Sequence, residues 1–151
     1  MGQVNPLARV CSLLNKHHAR YLVVGGYACI LHGLVRTTED VDVLVEDDEE
    51  NFRRIIAALS EMEDGAAREL KPQDFAENVI VKIADEVEVD VSRVAWKISF
   101  ADAIGSALST KIDGVAIPYL DLRTLIASKE TYRDQDRADV AFLRKLLENR
   151  G

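Results

Sequence analysis

Two aspartates separated by a single residue, Asp40-Val-Asp42, stand at the head of an otherwise apolar run, Asp40-Val-Asp-Val-Leu-Val45. A strand turns successive side chains to opposite faces, so Asp40 and Asp42 share one face while Val41, Val43 and Val45 take the other. Asp is a poor strand former, and like charges two residues apart repel. A divalent cation bound at the edge of a cleft removes both objections. The stretch Glu86–Val91 repeats the pattern, with Val87, Val89 and Val91 on one face and Glu88 and Asp90 on the other. If that strand lies beside 40–45, Asp90 completes a three-carboxylate site; Glu88, on the same face, is the alternative third acid. A hairpin edge facing solvent would carry the same alternation. Two Mg²⁺ ions about 4 Å apart would neutralise three such carboxylates and grip both sides of a phosphoryl group during in-line displacement. Asp42 would then bridge the ions, Asp40 would bind both, and Asp90 would hold the ion that activates an attacking hydroxyl. The other ion would hold a triphosphate.

The stretch Tyr21-Leu-Val-Val24 reads as a buried strand ending at Gly25-Gly26, with a short helix from Tyr27 to about His32 and a stop at Gly33. A glycine pair at a strand-to-helix junction permits a sharp turn and leaves amides exposed, where phosphate oxygens are attracted. A bare Gly-Gly is also simply a tight turn. Arg36 and Thr38 precede the acidic strand, placed to contact a triphosphate, to orient the carboxylates, or only to bond the strand entry.

The elements that must position these residues follow in chain order. Residues 6–18 read as a helix with Pro6 in its first turn, closed by His17 and His18. Asp47 to Glu50 cap a helix carrying Phe52, Ile55, Ile56 and Leu59. Residues 61–76 lack a period and read as loop, with a short turn near Asp74-Phe75. Strands over 78–83 and 86–91 are joined by Ala84-Asp85. Trp96 and Phe100 are expected to pack a loop and short helix onto the core. A hairpin, 109–112 with 115–117, turns at Asp113-Gly114 and ends at Pro118. Asp121 caps a helix to about Lys129, and a last helix over 134–147 aligns Ala138, Phe142 and Leu146. This order predicts an α/β (α+β) fold: a small mixed sheet flanked by helices, one domain over 1–151, with C-terminal helices at about 121–147. Neither GxGxxG nor GxxxxGK[ST] occurs, which excludes the usual Rossmann and P-loop signatures.

At 151 residues and 48% apolar composition the chain can bury a core. Its 19 basic and 26 acidic side chains give a net charge of -7, which argues against a general nucleic-acid surface while leaving local phosphate binding open. Cys11 and Cys29 sit among apolar residues without metal-ligand spacing and read as buried thiols of a reducing, cytoplasmic compartment. No secretory start and no apolar run of about 18 residues is present, so no membrane partner is expected.

The combination Val23-Val-Gly25-Gly26, Asp40-Val-Asp42-Val and a later strand acid at Asp90 resembles the nucleotidyltransferase fold superfamily. Arg36-Thr-Thr-Glu-Asp-Val-Asp42 and the tail from Ile117 to Lys129, then Arg133 and Arg137-Ala-Asp139, resemble its minimal, AbiEii toxin-like branch. The resemblance covers about residues 20–143. It implies transfer of a nucleoside monophosphate from an NTP, ATP by default, to a hydroxyl on protein, RNA or a small molecule. It also implies a phosphate contact from Lys129. The branch's adjacent Lys-Asp is replaced here by Arg137-Ala138 before Asp139, and where bigger relatives carry a large helical domain these 151 residues leave room only for the final helices. Recognition of a large acceptor would then need the final helices, a second subunit or a separate, antitoxin-like protein. The altered tail also admits a catalytically inactive member that binds nucleotide or protein. A third reading makes the strand acids edge charges that oppose aggregation.

Overall fold

The structure is a computed structural model and describes residues 5–150, so the expected domain limits at 1 and 151 lie outside the described residues. Helix α1 (Pro6–Lys16) starts on Asn5, whose side chain accepts from the Ala8 amide. It leads into β1 (Tyr21–Val24), α2 (Gly25–Leu31) and β2 (Val41–Val45). Asp48 caps α3 (Glu49–Leu59), and α4 (Pro72–Glu77), β3 (Ile80–Ile83) and β4 (Val89–Ser92) follow. A two-stranded ribbon of β5 (Val94–Ala95) and β6 (Ile98–Ser99) precedes α5 (Phe100–Ala103). The hairpin β7 (Leu108–Ile112) and β8 (Val115–Tyr119), then α6 (Leu122–Ser128) and α7 (Asp134–Arg150), complete the chain.

Six strands form one mixed sheet in the order β3-β4-β2-β1-β8-β7. The pairs β2 with β4 and β1 with β8 are parallel, and the others are antiparallel. One group of helices, α1, α3 and α4, packs together and onto the sheet through α1 and α4; a second, α2, α6 and α7, reaches it through α2. Every residue of β1 is buried, which requires cover on both faces. The core runs from Leu7, Val10 and Leu14 through Leu22, Val43 and Leu44 to Ile55, Leu59, Leu125 and Leu143.

Several sequence expectations are corrected. The helix after β1 begins at Gly25 rather than Tyr27, because Gly25 takes a left-handed φ of 66° and turns the chain at once. Residues 61–76 contain a 3₁₀ turn (Ala66–Glu69) and the start of α4, where Pro72 opens the helix and Asp74 accepts from the Lys71 amide. Phe75 is thereby buried against Phe52, ring centroids 5.5 Å apart. Strand β4 starts at Val89, not Glu86. Asp85 and Glu86 instead accept the amides of Glu63, Asp64 and Ala66, pinning that loop.

Pro118 does not end β8, since the parallel ladder to β1 is registered at Val23 and Tyr119, beyond the proline. Trp96 does not pack into the core but is 43% exposed, whereas Phe100 is buried as expected. In α7 the buried positions are Asp136, Asp139, Val140 and Leu143. The stripe is rotated from Ala138, Phe142 and Leu146 because two carboxylates on that helix face inward toward Lys129. Cys11 and Cys29 are free and buried, and burial pushes both thiols up to about 11. No helix among the described residues is long and apolar enough to cross a membrane.

Candidate functional site

Strand register assembles the acids. Asp42 on β2 is the direct parallel partner of Asp90 on β4, Asp90 is the antiparallel partner of Lys82 on β3, and Asp42 is the partner of Val24 on β1. Lys82, Asp90, Asp42 and Val24 therefore form one row across four strands, on one face of the sheet. The neighbouring row, Val81, Val91, Val43 and Val23, faces the core from the other side. Asp40 lies just before β2, where the Val41 amide donates to the Glu88 carbonyl.

These residues floor a cleft of about 830 Å³, bounded by Gly25, Gly26, Arg36, Thr38, Asp40, Asp42, Asp90, Trp96, Lys129, Tyr132 and Arg133, among others. Burial, and then the charge of Asp90, push the Asp42 carboxyl up to about 7. Oδ1 of Asp90 is buried and accepts no hydrogen bond, although the Lys82 ammonium lies 3.5 Å away; at that length the contact is a loose charge pairing. Lys82 also approaches Glu88 at 3.2 Å and Asp40 at 3.9 Å. Hydrogen bonding to Glu88 and burial raise Asp40, while Asp40 and Lys82 together hold Glu88 low.

Two crowded carboxylates, one with an orphaned buried oxygen, are the donor set of a hard divalent cation such as Mg²⁺. Asp42 and Asp90 fit such an ion. Asp40 faces Lys82 and Glu88, and among the described residues no three His, Cys, Asp or Glu side chains converge on one point. The structure thus brings Asp42 and Asp90 together, with Asp40 at the same mouth but turned to a lysine that sequence reading had not singled out. A signal was available in Lys82, which alternates with Val81 and Ile83; only the β3–β4 register, however, sets it opposite Asp90.

The glycines have a steric task. A Cβ at Gly25 would stand 2.1 Å from Asp42 Oδ2, and one at Gly26 would stand 2.7 Å from Thr38 Oγ1 and 3.4 Å from Arg36 Cζ. Both positions must lack a side chain for Asp42, Thr38 and Arg36 to close on the backbone.

The opposite wall is a buried ion network. Lys129 Nζ lies 3.0 Å from Asp136 Oδ1 and 2.9 Å from Asp139 Oδ2. Arg36 Nη1 reaches Asp139 Oδ2 at 2.7 Å, and Arg133 Nε reaches Asp136 Oδ2 at 2.8 Å. Burial opposes the Lys129 charge, yet hydrogen bonds with Asp139 and Asp136 hold its pKa above the ordinary value. Burial likewise works to raise Asp136, but Arg133, Thr131 and Lys129 outweigh it and hold the carboxyl at about 2. Lys129 is 7% exposed and lies between two carboxylates, so its charge is already paired within the protein. Arg133 keeps its side chain 80% exposed at the cleft while anchored through Nε. Asp136 escaped the sequence reading; its spacing of three from both Arg133 and Asp139, on one helical face, is the signal that marks it.

Comparisons with known proteins agree with this geometry. Residues 5–143 match the family described as "Nucleotidyltransferase of unknown function (DUF6036)". Among solved structures, a candidate nucleotidyltransferase from Thermotoga maritima is similar over 95% of this chain and 91% of that one, with TM-score 0.57 and 18% identity. An antigenic nucleotidyltransferase-like protein from Paracoccidioides brasiliensis is similar over 94% of this chain and 73% of that one, with TM-score 0.60 and 14% identity. At these identities the likeness establishes a nucleotidyltransferase-like fold. A search of curated proteins finds no match. Matched from α1 into α7, the chain belongs to this nucleotidyltransferase family.

Proposed function

We propose that the protein is a Mg²⁺-dependent nucleotidyltransferase that moves a nucleoside monophosphate from an NTP to a hydroxyl-bearing acceptor. The observation that carries this reading is the side-by-side placement of Asp42 and Asp90 on adjacent parallel strands at the floor of a cleft large enough for a nucleotide. Asp42 and Asp90 would hold the metal, joined by Asp40 once it leaves Lys82. Bound there, Mg²⁺ supplies charge neutralisation for a triphosphate and for the pyrophosphate that departs.

The chain's own groups do the rest. Arg133, exposed at the guanidinium but anchored by Asp136, presents a fixed positive charge to phosphate oxygens. Arg36, held by Asp139 beside Gly26, places a second cation near the turn. ATP is the default donor through the family resemblance. A toxin-like role, with a second copy or an antitoxin-like protein completing the acceptor site, belongs to the same reading.

Incubation with each labelled NTP, Mg²⁺ and protein, RNA or small hydroxyl acceptors tests the proposal. Label transfer that disappears in Asp42→Asn supports it; absence of both binding and transfer across acceptor classes refutes it. The lysine at Asp40, Glu88 and Asp90 favours a second reading, a member that binds nucleotide or protein without turnover. Saturable nucleotide binding with no transfer to any acceptor would select it.

A further inference from the structure

The cleft is chemically divided. Its floor is charged, whereas its rim carries Ile80 (58% exposed), Val94 (36%), Trp96 (43%) and Tyr132 (82%). Trp96 and Tyr132 meet edge to face, with ring centroids 6.1 Å apart and planes at 87°. They come from the β5–β6 ribbon and from the link between α6 and α7, so the rim is formed only when those two segments are brought together.

Neither aromatic is placed by its own burial. Trp96 is the first of two turn residues between the pairs Val94–Ser99 and Ala95–Ile98, and it adopts φ 58°. A two-residue hairpin turn takes a positive φ at its first central residue, and this one seats an aromatic there. Tyr132 is flanked by Thr131 and Arg133, both of which bond the buried Asp136 carboxylate. The backbone on either side is clamped while the ring projects into solvent. The two rings meet one another at the mouth of a cleft whose floor suits phosphate and metal.

We infer that the Trp96–Tyr132 pair receives the nucleobase of the bound triphosphate, one ring stacking on the base while the other braces that ring edge to face, and that this platform selects purine over pyrimidine by ring area. This rests on the nucleotide reading of the charged floor. Stacking on aromatic side chains tolerates any base with a π-face and grows with the surface overlapped, so ATP and GTP should be treated alike. The adenine default implied by resemblance then becomes a purine preference.

The sole tryptophan provides the reporter. Fluorescence of the full chain is titrated in Mg²⁺ with ATP, GTP, CTP, UTP and inorganic tripolyphosphate, with calorimetry in parallel. The expected result is saturable quenching by ATP and GTP, several-fold weaker binding of CTP and UTP, and no quenching by tripolyphosphate. Because a base lies flat on only one of two perpendicular rings, one of Tyr132→Ala and Trp96→Ala, the latter followed by calorimetry, should weaken ATP about tenfold, the scale of one base–aromatic stack, and the other less, both leaving tripolyphosphate affinity unchanged; ATP affinity unchanged in both would overturn the inference. Equal affinity for ATP and tripolyphosphate without quenching would sink the platform while leaving the phosphate floor intact. Quenching by a short oligonucleotide but not by free nucleotides would assign the rim to an acceptor and overturn the inference. If neither ATP nor tripolyphosphate binds, the floor reading fails, and the platform falls with it.

Discussion

Gly25 and Asp42 occupy space that only a glycine leaves open: a Cβ at position 25 would fall 2.1 Å from Asp42 Oδ2 and 2.9 Å from Asp42 Cβ. The second distance matters more, because Cβ cannot rotate away. With φ at 66° as well, Gly25→Ala incurs a left-handed backbone penalty of about 1–2 kcal/mol and displaces the aspartate. Gly33→Ala shares the positive φ, at 105°, but meets nothing within 4 Å. Denaturant melts should show both variants destabilised, and nucleotide transfer should be lost only in Gly25→Ala.

Asp42→Asn removes one of two facing carboxylates. Burial and Asp90 disfavour the Asp42 charge, so without divalent metal at pH 8, above its raised pKa, the variant should be more stable than the native chain. Its stabilisation by added Mg²⁺ should vanish along with transfer. Thermal melts with and without Mg²⁺ read both changes, and a destabilised variant at pH 8 would contradict the crowding.

Lys82 sits where a cation belongs among Asp40, Glu88 and Asp90. A metal held by Asp42 and Asp90 would have to compete with it at that mouth. Lys82→Ala should bind Mg²⁺ or Mn²⁺ several-fold more tightly in calorimetric titration, with the largest gain at low salt. Unchanged affinity would make the lysine a surface partner of Glu88 alone.

The Asp136 carboxyl is held at about 2, below its ordinary value. A group whose folded pKa is depressed contributes stability that is present above the unfolded pKa, near 4, and is lost as pH falls through the folded one. Acid titration should therefore remove on the order of 2 kcal/mol from this group between about pH 5 and pH 2. Asp136→Asn should flatten that window and lower stability at pH 7. Lys129→Ala leaves Asp136 and Asp139 short of a buried partner and should cost about 3–5 kcal/mol. Urea melts across pH measure each effect.

Much of the fold was legible because its signals are local. Alternation in 40–45, the stop at Gly25-Gly26, and Asp48 and Asp121 at helix starts are each read within a few residues. The misread segments depend on distant partners. Asp85 looks like part of a hairpin turn until the loop at 63–66 comes to bond it. The α7 stripe reads as Ala138-Phe142-Leu146 until Lys129 draws Asp136 and Asp139 inward. A local period identifies which residues share a face, but which face is buried is decided by what lies opposite.

By itself, then, the sequence marked the fold class and the candidate residues: acids spaced for one strand face, a glycine pair at a strand-to-helix turn, and a mixed sheet to carry them. Tertiary structure decided the pairing. That Asp90 stands beside Asp42, that Lys82 faces both strands' acids, that Lys129 is buried in a salt-bridge network, and that Trp96 meets Tyr132 at the rim all follow from strand order and helix docking. Such contacts join residues tens of positions apart, and no periodicity within either segment encodes the partner's register.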